Sequence, residues 1–270
     1  MKWIRRHQII TFFIITYLIN YSVTFIHLYW IPLPSSLVLI LQIFSPSISA
    51  LILSAVIGGW AEIRRILSGF TRWKFGWVWY LAAGLLLLVP SGIALVYWAL
   101  GNPIPGPEPG LSIGTLLGYF ALTFVSGPLS EETGWRGFAL PRLQEKYNAM
   151  ISSIILGVLW ALWHVPFYFQ PTTSLMPFPI FFVINIVLSI IFTWLYNNTK
   201  GSLIVCVLAH FCFNLSGAFI MGHLGLLPPL VFYIGSGIAI VLYLVVVVVI
   251  FGPRYLSRKQ IEEMPFQRRT

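Results

Sequence analysis

Apolar stretches of about 20 residues, each long enough to cross roughly 30 Å of hydrocarbon as a helix, follow one another almost from end to end of this 270-residue chain. The connections between them are no longer than loops. Inside a bilayer the backbone has to satisfy its own polar groups, and runs of this length fit helices rather than the roughly 10-residue strands of a barrel. The sequence therefore predicts an all-α, polytopic membrane bundle of about eight transmembrane helices, at about 8–30, 37–60, 76–100, 112–130, 150–169, 178–197, 201–222 and 229–251. A single membrane domain over 1–270 accounts for the chain, because only 9% of its residues are charged against roughly 25% in a soluble domain.

The net charge of +9 would suggest a nucleic-acid partner in a soluble protein, but its placement argues against one. The basic residues fall in five short stretches: Lys2, Arg5 and Arg6; Arg64, Arg65, Arg72 and Lys74; Arg136, Arg142 and Lys146; Lys200; and Arg254, Arg258, Lys259, Arg268 and Arg269. Alternate connections hold none, which is the positive-inside pattern of a multi-pass protein of the cell membrane with both termini cytoplasmic. The first apolar stretch is longer than a signal-peptide core and lacks a small-residue cleavage site, so it reads as a retained helix. Residues 134–146 mix apolar and basic side chains and are expected to lie along the inner membrane surface. The loop Gly101–Gly110 is rich in Pro and Gly and carries no expected chemistry, and Cys206 and Cys212, six apart on one helix, face different ways.

Three short patterns at helical spacing stand out against this background: Glu131-Glu132-x-x-x-Arg136, Trp160-x-x-x-His164 and His210-x-x-x-Asn214. Ionisable groups are costly in hydrocarbon and point to a polar site inside the bundle. Residues four apart share a helix face, so Glu132 can pair with Arg136 while Glu131 points elsewhere. That leaves Glu131 as the carboxylate placed to take a proton. Each pattern alone also fits a bland role: an ordinary ion pair at a membrane edge, or side-chain hydrogen bonds that glue helices together. Three polar clusters on three helices are more economically satisfied by one another. A carboxylate that takes a proton from water, an imidazole that orients the water, and an imidazole and a carboxamide that donate to a developing oxyanion would make a hydrolytic centre. His7, His27 and His223 lie in the amino-terminal tail or near span ends and are read as surface or interfacial groups.

At these residues the chain resembles the CAAX protease and bacteriocin-processing (CPBP, or Abi) family of intramembrane peptidases, relatives of the Ras-converting CAAX endopeptidase. The family pattern is Glu-Glu-x-x-x-Arg, Phe-x-x-x-His and His-x-x-x-Asn on successive helices of an eight-helix bundle, and here Trp160 stands where Phe is usual. That departure bears on the shape of the substrate pocket. The motif-bearing core covers about 112–225. The resemblance implies an endopeptidase that hydrolyses a peptide bond near the carboxyl terminus of a membrane-anchored substrate, lipidated or not. It implies Glu131 as general base with His164, His210 and Asn214 as oxyanion donors, and Glu132, Arg136 and Trp160 in support. Zn²⁺ held by Glu131, His164 and His210 is an open alternative, with a metal-independent glutamate mechanism favoured. A non-catalytic transporter or scaffold, including one that confers bacteriocin self-immunity, is the competing class, although no paired discontinuous helices occur in two halves of the chain. Without a sizeable outer domain, substrate would approach through lipid or from the cytoplasmic face, and a water-filled cavity opening to the inner side is expected.

Overall fold

The computed structural model describes residues 2–170 and 176–258; Lys259, Arg268 and Arg269 of the last basic stretch lie outside them. Among the described residues, eight helices are long and apolar enough to span a membrane: α1 (Gln8–Tyr29), α2 (Ser35–Thr71), α3 (Trp77–Ala99), α4 (Ile113–Gln144), α5 (Ala149–Phe169), α6 (Phe178–Asn198), α7 (Leu203–His223) and α8 (Pro229–Phe251). Leu95, Leu117, Leu230 and Val249 are among the large apolar side chains exposed on the outside of the bundle, a surface suited to lipid. The expected spans agree closely except at α2 and α4, which both run further than expected.

In α2, Gly59 adopts φ +61° and ψ −148°, a left-handed-side conformation that suits a residue without a Cβ. The helix breaks there and resumes, carrying Glu62, Arg64 and Arg65 onto the end of the bundle. In α4, the segment expected on the membrane surface is instead buried among other helices, and Ser130 to Gln144 is closed off throughout. The reason is that its basic residues have partners inside the protein. Arg142 donates from Nε to Gln8 Oε1 (2.7 Å), from Nη1 to the Phe138 carbonyl (2.9 Å) and from Nη2 to Glu62 Oε1 (2.5 Å), and its guanidinium lies 3.6 Å from the Phe138 ring centroid. A mixed apolar and basic composition thus describes a core helix whose Arg142 is satisfied by α1 and α2 and whose Arg136 pairs with Glu132 of α4 itself.

Aromatic packing fixes α4 against its neighbours. The ring of Phe12 on α1 meets Trp135 edge-on at 5.6 Å and stacks on Phe138 at 5.1 Å, while Trp135 meets Trp163 of α5 edge-on at 5.8 Å. At the basic end, Gln144 and Asn197 exchange amide hydrogen bonds of 3.1 and 2.9 Å, joining α4 to α6. Asn197 also donates to the Tyr255 carbonyl (2.8 Å), which ties down the segment after α8.

Helices approach most closely where a glycine faces a backbone, as is usual when lipid supplies no hydrophobic drive for association. A Cβ on Gly134 would stand 2.5 Å from Pro46 Cβ and 2.6 Å from the Pro46 carbonyl oxygen on α2. Gly134→Ala is therefore expected to force α2 and α4 apart and lower the thermal unfolding midpoint in detergent, by an overpacking cost of about 1–3 kcal/mol. Gly118→Ala, where a Cβ would meet nothing within 4 Å, should leave that midpoint unchanged.

Candidate functional site

The two adjacent carboxylates of α4 sit on separate faces, as their spacing requires, and each binds the residue four positions on. Glu132 Oε1 accepts from Arg136 Nη1 at 2.9 Å, and both side chains are fully buried. The same oxygen lies 2.8 Å from His210 Nδ1 on α7, so Glu132 bridges a guanidinium and an imidazole. Glu131 Oε2 accepts from the indole nitrogens of Trp135 (3.0 Å) and Trp160 (2.5 Å). Two N–H donors on one oxygen hold the carboxylate in place and leave Oε1 as the atom able to react.

The Trp160 contact changes the meaning of a departure noted in the sequence. A phenylalanine there would contribute a wall; the tryptophan also donates a hydrogen bond to Glu131. Its ring does a second job, because the Arg136 guanidinium carbon lies 4.7 Å from the Trp160 centroid and 4.8 Å from that of Phe192. The aromatic faces compensate an arginine whose Nε and Nη2 have no hydrogen-bond partner.

His164 is placed by the way α5 ends. Pro166 lacks an N–H and the chain tightens into a 3₁₀ turn, so the His164 amide bonds the Ala161 carbonyl (3.1 Å) and releases that of Trp160. The freed carbonyl meets His164 Nδ1 at 2.9 Å, which assigns the ring proton to Nδ1 and leaves Nε2 as the acceptor of the neutral ring. Other carbonyls of this last turn accept from α1: Leu159 from Tyr17 Oη (2.5 Å), Leu162 from Tyr21 Oη (2.8 Å) and Trp163 from Asn20 Nδ2 (2.7 Å).

Glu131, His164, His210 and Asn214 all line one cavity of about 350 Å³, together with Trp160, Phe181 and Phe213. The convergence is sharpest beside Gly127, in the π turn Val125–Leu129 of α4. The point that a Cβ at Gly127 would occupy lies 2.8 Å from Asn214 Nδ2, 3.4 Å from Glu131 Oε1 and 3.4 Å from His210 Nε2. One acceptor oxygen, one amide donor and one imidazole nitrogen thus converge beside Gly127, where a Cβ would crowd them. The cavity is lined by the first turns of α2 and α6, the middle of α4 and the last turns of α5, so it lies in the half of the bundle away from the basic residues. Towards the basic end the buried second half of α4 fills the bundle.

The residues first considered for zinc do not assemble as ligands. Among the described residues, no three His, Cys, Asp or Glu side chains form a group able to hold a metal ion. Of the remaining histidines, His223 bonds Glu108 Oε2 through Nδ1 (2.7 Å) and stacks on Tyr119 at 3.8 Å, while His7 lies against Trp3. Two contributors escaped the sequence reading. Trp135 was accessible to the same four-residue rule that paired Glu132 with Arg136; Gly127 gave no signal, because its role is the room it leaves.

Residues 113–216 match a family model described as type II CAAX prenyl endopeptidase Rce1-like, a segment that includes every residue of the three patterns. A CAAX prenyl protease 2 of Methanococcus maripaludis is 35% identical over 94 residues, covering 32% of this chain and 35% of that protein. The alignment thus spans about a third of the length of the curated relative.

The two carboxylates should differ in what their loss does to the fold. Glu132→Ala would strand a fully buried guanidinium and is expected to cost about 3–5 kcal/mol of stability. Glu131→Gln keeps an oxygen for the two indoles and should leave the unfolding midpoint in detergent within a few degrees of the parent.

Proposed function

We propose that this chain, whose residues 113–216 match the type II CAAX prenyl endopeptidase Rce1-like family model, is an intramembrane endopeptidase that cleaves a membrane-anchored polypeptide near its carboxyl terminus. The observation that carries the reading is the meeting of Glu131 Oε1, His210 Nε2 and Asn214 Nδ2 around the point beside Gly127. Hydrolysis of a peptide bond needs a base for water on one side and donors for the carbonyl oxygen on the other, and these are the groups present.

Glu131, held by Trp135 and Trp160, takes a proton from water through Oε1. The resulting hydroxide adds to the scissile carbonyl carbon, and the electron pair moves onto the carbonyl oxygen. Asn214 Nδ2–H donates to that oxyanion, as does His210 Nε2 when it carries a proton, with the ring aligned by Glu132. Collapse of the intermediate breaks the C–N bond, and Glu131 returns its proton to the leaving amine. His164, on the wall of the same cavity with its Nε2 unprotonated, accepts from water and helps to orient it. Glu132 and Arg136 act through His210 and are positioning residues. No step passes through a metal.

The asymmetry of Lys and Arg supports a single membrane domain with both termini in the cytoplasm. Most of the cavity lining is apolar, which suits an extended segment emerging from lipid, with or without an attached lipid chain.

Purified protein in detergent, given tagged membrane-anchored peptides, should release a product of defined mass, unaffected by a strong chelator. Glu131→Gln should abolish release. Trp160→Phe, which deletes one hydrogen bond to a charged oxygen, should lower kcat by about 10- to 100-fold with little change in KM. Gly127→Ala should remove turnover by pushing Asn214 and its neighbours Glu131 and His210 out of place. Retention of full activity by Glu131→Gln would overturn the reading.

A further inference from the structure

The cavity that holds Glu131 carries two polar side chains to which the reaction above gives no part, Ser126 and Asn185. Asn185 lies in the first half of α6, in a run that is otherwise apolar from Ile180 to Leu188. A carboxamide there is costly in hydrocarbon and weakens the helix slightly, so it calls for a partner. With 2% of its surface exposed, the residue does not face lipid.

The partner is not another helix. Asn185 Nδ2 donates to the Phe181 carbonyl one turn back in α6 (2.8 Å), a bond that does nothing to join helices. Because a carbonyl accepts and cannot donate, this contact also fixes which way the amide faces; reversed, it would set oxygen against oxygen. Oδ1 is thereby left for the cavity that the residue lines.

Two aromatic contacts bracket this position along α6. Phe181 meets the His164 ring edge-on at 4.7 Å, and Phe192 lies against the His210 ring at 5.7 Å. Asn185 stands about 6 Å along the helix axis from the first and about 10 Å from the second. It shares the cavity-lining face with Phe181 and Leu188, so the wall of α6 between the two histidines offers one acceptor flanked by apolar side chains.

An extended peptide brings one donor and one acceptor per residue, and both need partners once water is left behind. In the reaction set out above, Asn214 and His210 serve a carbonyl oxygen, while Glu131 Oε1 and His164 Nε2 are taken by the attacking water. None of these four is left to accept from a substrate N–H. We propose that Asn185 Oδ1 accepts a hydrogen bond from a main-chain N–H of the substrate flanking the scissile bond, and so excludes proline, which lacks that N–H, from the position concerned. The assignment rests on the endopeptidase reading.

The test removes the N–H from the substrate and its acceptor from the protein. Full-length protein in detergent is given a membrane-anchored peptide that it cleaves, and a series in which each main-chain N–H flanking the scissile bond becomes in turn an ester oxygen. One ester should lower kcat/KM by about 10- to 100-fold, because it leaves Oδ1 unpaired. Asn185→Leu should lower kcat/KM for the all-amide peptide by a similar factor, keep the parent's unfolding midpoint and no longer distinguish that ester from the amide. In Asn185→Thr the hydroxyl can donate to the carbonyl four residues back, as Thr193 does to Ser189 (2.7 Å), and still accept, so most of the loss and the discrimination should be recovered. An ester series felt equally by the parent and by Asn185→Leu would overturn the assignment while leaving the peptidase standing. Failure of the parent to cleave any anchored peptide would overturn the endopeptidase reading, and the assignment with it.

Discussion

An ion pair with no access to solvent, Glu132 with Arg136, is the constraint around which the bundle is organised. Each charge would be expensive in an apolar interior if left alone, and one contact between them does not exhaust the hydrogen-bonding capacity of either. The surrounding helices supply the remainder. Trp160 of α5 and Phe192 of α6 offer ring faces to the guanidinium, and His210 of α7 meets the carboxylate. Four helices are thereby drawn to one point, and that point lies one residue away from Glu131. The charge pair also holds the His210 imidazole, so in the proposed reaction support and chemistry are hard to separate by mutation.

Much of this was legible from spacing alone. The number and rough limits of the helices follow from runs of apolar residues, and the Glu132–Arg136 pair follows from helical periodicity. The four polar groups assigned to hydrolysis do share one cavity. Their individual roles remain the subject of proposal, and the match to known proteins covers only the stretch from α4 to α7.

What the sequence concealed has identifiable causes. Residues 134–146 looked interfacial because composition records which residues are present but not whether they have partners; Glu62 and Gln8, the partners of Arg142, are 80 and 134 positions away. The break at Gly59 could pass for the end of a span. Trp160 looked like a pocket wall because the side chain it serves comes from another helix, and Gly127 is defined by distances to three residues that only the fold brings near. The side on which the cavity lies depends on how α4 fills one half of the bundle, a property of packing that no local pattern encodes.

The junction of α1 and α5 has a different character. Tyr17, Asn20 and Tyr21 reach main-chain carbonyls of α5, of which those of Leu162 and Trp163 become available because the α-helix gives way to a 3₁₀ turn at Pro166. A carbonyl is present whatever side chain its residue bears. The attachment is therefore indifferent to much of the identity of α5, and residues on that helix that face the cavity are free to change with the substrate without unfastening the wall on which they stand.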